Sequence, residues 1–144
     1  MYKLILGISE YQNKIYDKLT TASEHIDEHI IKLLYYSDSS YVEHWKAEIF
    51  AFLHKIDKLK GRNKWPKSKF IKEALSTHND MLHEYGLLVK EEESELAPRY
   101  ISDDTILLAV NDYQNWLAEQ LSIKGIVLHS EVCAKLDEII KNYE

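Results

Sequence analysis

Residues 9–36 read SEYQNKIYDKLTTASEHIDEHIIKLLYY, and their apolar positions decide the fold. Tyr11, Ile15, Leu19, Ala22, Ile26, Ile30 and Leu33 follow one another at steps of 4, 4, 3, 4, 4 and 3. That is the helical period, which turns one face of the segment to a core and the other to water. Ser9, with Gln12 at the capping-box position, starts it. Thr21 with Glu24 makes a second box and marks a candidate break at residues 20–23. The stripe keeps its register across that point, so the reading favours one long or bent helix to about Tyr36.

Working outward, Trp45, Ile49, Phe52, Ile56 and Leu59 repeat the pattern. Ser40 with Glu43 is a capping box that opens this second helix, and Gly61 is a suitable end. Asn63 to Pro66 reads as a linker. Ile71, Ala74, His78, Met81 and Tyr85 predict a third helix from about Lys67 to Tyr85, stopping at Gly86. Leu87 to Pro98 is the longest segment without a helical pattern, and reads as a short helix or a loop. Ser102 or Asp103 caps a fourth helix carrying Ile106, Ala109, Tyr113, Trp116 and Gln120, ending before Gly125. Ser130 opens the last, with Val132, Cys133, Leu136, Ile139 and Ile140 on its apolar face. The expectation is an all-α irregular bundle of five or six helices, one domain over residues 1–144.

Composition agrees. Four glycines and two prolines in 144 residues are too few for the turns of an all-β chain. Cys133 is the single cysteine, so no intrachain disulfide can form, which fits a reducing compartment. The apolar run Leu4, Ile5, Leu6 is too short for a signal-peptide core. No stretch approaches the roughly 18 apolar residues of a membrane span. A cytoplasmic protein is expected.

The net charge of −6 is unevenly spread. Lys55, Lys58, Lys60, Arg62, Lys64, Lys67, Lys69 and Lys72 face one acid, Asp57, which makes that segment +7 and the remainder −13. From Glu91 to Asp104 the balance is −5. Glu91, Glu92, Glu93, Glu95, Asp103 and Asp104, with Tyr100, form the candidate site for a basic protein partner. Acidic surfaces gain association rate and specificity in this way, and tyrosine supplies amphipathic contact area. Among ten tyrosines, Tyr35, Tyr36, Tyr41 and Tyr100 are expected exposed because they end a helix or lie near turns. The basic segment, with Trp65 and Phe70 among its charges, is an alternative nucleic-acid site, although a solvated helix face explains the same residues.

His25, Glu28 and His29 spell H-x-x-E-H, the inverted zinc-protease order, in which two histidines share a metal and the acid activates its water. Here Glu28 points roughly 150° from the centre of the stripe at about 100° per residue. The bland alternative is a packed helix with amphipathic histidines. His44 with Glu48, Asp80 with His83, and His78 with His83 invite a helical-bundle metal site, but only Asp80 to His83 has the carboxylate-x-x-His spacing. Cys133 reads as a buried, inert thiol. Neither nucleotide loops nor a G-x-S-x-G elbow occurs, so no cofactor and no catalytic activity are expected.

The segment with His29, Lys32, Leu33, Leu34, Trp45, Ile49 and Ile56 resembles a bacterial family of helical proteins known as a domain of unknown function. In that family an H-L-L-K turn precedes a Trp and an amphipathic helix. In size, charge and helicity the whole chain is similar to immunity proteins of bacterial toxin systems, of the contact-dependent growth inhibition or bacteriocin type. That resemblance implies a small cytosolic inhibitor that covers the basic active site of a nuclease toxin. It is a likeness of class, carried by no motif.

Overall fold

A computed structural model describes residues 10–57, 65–125 and 127–143. They form six α-helices and one 3-10 turn, with no strand among the described residues. The helices are α1 (Glu10–Tyr35), α2 (Val42–Asp57), α3 (Ser68–Leu75), α4 (Leu82–Glu92), α5 (Asp103–Lys124) and α6 (His129–Asn142), with the 3-10 turn at Asn79–Met81. The fold is the expected all-α bundle. The expectations for Ser9, Gly61, Lys58, Lys60, Arg62, Lys64 and the Met1–Gly7 segment lie outside the described residues.

α1 is the central element. It is unbroken at residues 20–23, and Thr21 Oγ1 bonds back to the Asp17 carbonyl at 2.9 Å instead of capping a new helix. Ile15, Leu19, Ile26, Ile30, Leu33 and Leu34 are buried along it. α2 returns antiparallel, with His29 against Glu48 and His25 against Phe52. α2 opens at Val42, one turn residue later than predicted. Ser39 rather than Ser40 supplies the hydroxyl, accepting from the Tyr41 N–H at 3.0 Å.

The predicted third helix is two helices. α3 stops at Leu75 because Ser76 and Thr77 return their hydroxyls to its last carbonyls, Ser76 Oγ to Glu73 at 3.2 Å and Thr77 Oγ1 to Ala74 at 2.8 Å. Met81, placed on the stripe by the sequence, is exposed. Gly86 does not end a helix. It lies buried inside α4, where an added Cβ would come 3.3 Å from the Tyr35 hydroxyl. The glycine lets α1 and α4 approach closely, and the helix continues to Glu92. The buried stripe of α5 is Ile106, Val110, Tyr113, Leu117 and Leu121, so Trp116 and Gln120 sit at its edge.

The ends of α5 follow the sequence. Ser102 accepts from the Thr105 N–H at 3.2 Å, and Gly125 ends the helix with φ 71°, a left-handed conformation suited to glycine. The Gly125 carbonyl accepts the Trp65 indole N–H at 2.6 Å, which ties the segment before α3 to the end of α5. Lys46, buried between Glu43 and Asp137, fastens α2 to α6. No described helix is long and apolar enough to cross a membrane.

Candidate functional site

Three elements meet where α1 ends. Lys32 occupies its last turn, Tyr41, His44 and Glu48 line the start of α2, and residues 92–96 close the far side after α4. The chain leaves α4 at Glu93 and is then tied back to the bundle. Arg99 N–H donates to the Tyr35 carbonyl at 2.8 Å, and Ile101 is buried. Leu87 to Pro98 is therefore partly helix and partly an anchored loop. The open cleft between them has a volume of about 480 Å³.

Four carboxylates line it: Glu48, Glu92, Glu93 and Glu95. Lys32 answers two of them, 3.2 Å from Glu92 and 3.5 Å from Glu93. Glu48 is clasped from both sides, one oxygen on His29 Nε2 and the other on His44 Nε2. The acidic field extends beyond the cleft. Burial, then Glu92 and Glu24, raise the Glu28 carboxyl above the usual carboxylate range. Burial, then Glu24, Asp27, Glu28 and Asp80, push the Tyr85 hydroxyl up to about 12.

The structure divides the predicted partner site. Glu92, Glu93 and Glu95 line the cleft. Glu91 is exposed on α4 but is not among the lining residues. Asp103 pairs with His83 at 2.8 Å, and Asp103 and Asp104 occupy the first turn of α5, where acids complement the helix dipole. Tyr100 is 92% exposed and Tyr41 53%. Tyr35 and Tyr36 are buried, contrary to expectation, because they end α1 against α4 and α2 instead of in water.

The H-x-x-E-H residues do not converge. The His25 ring stacks on Phe52, with centroids 4.9 Å apart. His29 Nδ1 donates to the His25 carbonyl at 2.6 Å, and its Nε2 meets Glu48. His78 donates to the Thr20 carbonyl at 3.1 Å, whereas His83 pairs with Asp103. No group of three His, Cys, Asp or Glu among the described residues could hold a metal. Of the basic alternative, Lys55, Lys67, Lys69 and Lys72 are exposed, but Trp65 is buried and bonded, and Phe70 packs edge-on against Tyr16. Those rings are engaged within the fold rather than free to stack on bases. Cys133 is half-buried, not buried as expected, and burial raises its thiol, which lowers its reactivity.

Sequence reasoning missed the cleft as a unit. It noted His44 with Glu48 and the exposure of Tyr41, but not that α1 would bring Lys32 to them. It also missed Asp27, which is 1% exposed in the core. Burial raises the Asp27 carboxyl well above the ordinary range, and Glu28 adds to it. Gln114 Nε2 donates to the Leu75 carbonyl at 3.0 Å and to Asn79 Oδ1 at 2.9 Å. A carbonyl only accepts, so this fixes the amide orientation and leaves Gln114 Oε1 without a donor, like both Asp27 oxygens. A proton on the raised Asp27 carboxyl would supply the kind of donor that Gln114 Oε1 lacks.

Compared with family models, curated proteins and solved structures, the chain matches none.

Proposed function

We propose that this protein is a non-enzymatic binding module of the immunity or antitoxin type, which holds a basic protein partner at the acidic cleft. The observation that carries the reading is the crowding of Glu48, Glu92, Glu93 and Glu95 around one open cleft with a single lysine among them. A guanidinium or ammonium entering there gains charge-assisted hydrogen bonds. The exposed ring of Tyr41 offers it a cation–π face.

Beside the cleft, Leu88 is exposed and lies four residues before Glu92, on the same side of α4. Leu87 stands in the same relation to Glu91. Apolar anchors beside charged groups are the composition of a protein interface rather than of a small-cation site. Inhibition would work by occlusion, the carboxylates standing where a basic enzyme expects phosphates.

The test is binding of the protein encoded by the neighbouring gene, measured for the native chain and for E92Q/E95Q at two ionic strengths. The reading expects slower association for the variant and a smaller salt dependence. Identical rates for the two proteins would remove the cleft as the binding surface.

A further inference from the structure

A second concavity lies on the same α1–α2 seam, and its chemistry is opposite. Lys18 and Lys32 are fourteen residues apart on α1, so the two openings are separated by roughly 21 Å along the helix. The volume is about 330 Å³, at the small end of ligand pockets. Its base is apolar: Ala22 and Ile56 are buried and Phe52 is half-buried. The His25 ring lies parallel to Phe52, 17° between planes, and gives one side a flat aromatic wall. Lys18 and Lys55 stand at the rim with Thr21.

Among the described residues, no carboxylate pairs with the two rim lysines. Lys32, Lys46, Lys124 and Lys135 each meet a carboxylate. Lys18 and Lys55 meet none among the described residues, and the Lys55 ammonium sits 5.9 Å from the Phe52 ring centroid. Two ammonium groups over an apolar, aromatic base complement a molecule that is anionic at one end and flat and apolar at the other. The helical spacing of both sets, Lys18, Thr21, Ala22, His25 and Phe52, Lys55, Ile56, builds this pocket into the packed seam.

We infer that the Lys18–Lys55 pocket binds a small organic anion with an apolar body, such as an aryl or acyl phosphate or carboxylate. The lysines take the headgroup, and Phe52 with His25 takes the body. A basic partner suited to the acidic cleft is repelled here, so the inference stands apart from the proposed function.

The probe is 1-naphthyl phosphate, with 1-naphthol and inorganic phosphate as its separated halves. Calorimetry should give one site, with each half binding at least tenfold more weakly. Amide shifts should concentrate at residues 18–25 and 52–56. K18Q/K55Q keeps the fold by circular dichroism, since both side chains are exposed, and should weaken binding at least tenfold. Four results would each overturn the inference: no binding, equal affinity for 1-naphthol, unchanged affinity of K18Q/K55Q, or shifts centred on Lys69 and Lys72.

Discussion

The guanidinium of Arg99 straddles the carbonyl oxygen of Leu34, with Nε at 3.2 Å and Nη2 at 2.9 Å. The last carbonyls of a helix have no partner within it, and they carry the negative end of its dipole. Arg99 supplies both hydrogen bonds and positive charge there. It is the single base between Glu91 and Asp104, and its guanidinium goes to the Leu34 carbonyl.

Arg99→Met should therefore destabilise the fold by about 1–2 kcal/mol, the low end for charged hydrogen bonds because the side chain is half-exposed. The urea midpoint should fall with an unchanged slope. Hydrogen exchange should quicken at the Arg99 amide, which is bonded to the Tyr35 carbonyl. An unchanged midpoint would show that water replaces the guanidinium without loss.

Asp27 makes stability fall as pH rises. Its folded carboxyl holds a proton above the ordinary value of 3.8, so the folded state binds more protons than the unfolded one in that interval. The stability is fully present below 3.8 and is lost as pH climbs through the raised folded value. Asp27→Asn carries donors permanently and should flatten this slope, with stability at neutral pH equal to or above that of the native chain. Urea titrations from pH 4 to pH 8 decide it; parallel curves for the two proteins would sink the assignment.

Gly86 and Tyr35 should be energetically coupled. Alanine at 86 gains about 1 kcal/mol of helix propensity but presses on the Tyr35 hydroxyl, 3.3 Å away. Tyr35 is 3% exposed and carries Lys90 4.8 Å above its ring, so it has little room to yield. In a double-mutant cycle, Gly86→Ala should be better tolerated by about 0.5–1 kcal/mol in a Tyr35→Phe background. Strict additivity would mean that the ring moves freely.

Within the acidic set, position should matter more than charge. Glu95 lines the cleft and Glu91 does not. Against a basic partner, Glu95→Lys should cost roughly 2–5 kcal/mol if its pair is buried and hydrogen-bonded, and Glu91→Lys far less. Thermal stability should stay within about 0.5 kcal/mol for both, as for other exposed surface charges. Equal losses would mean a diffuse acidic face rather than a seat.

The helical period in Tyr11 to Leu33 was enough to assign an all-α bundle, and Ser102 and Gly125 marked the ends of α5 by local chemistry alone. Those features depend on residues three or four apart, or on a single backbone conformation, and both are written in the chain. The break at Leu75 was less legible, because His78 and Met81 continued a stripe that Ser76 and Thr77 interrupt by bonding to carbonyls. Gly86 read as a stop because its reason for being there, the Tyr35 ring, is fifty-one residues away. The acidic run was visible as a run. Only the tertiary structure decided that Glu92, Glu93 and Glu95 would face Lys32, His44 and Glu48 while Asp103 turned to His83. It alone placed Asp27 against Gln114 and set Lys18 opposite Lys55. Periodicity names the face of each helix that is buried; which faces meet is settled by packing between distant segments, and the sites lie there.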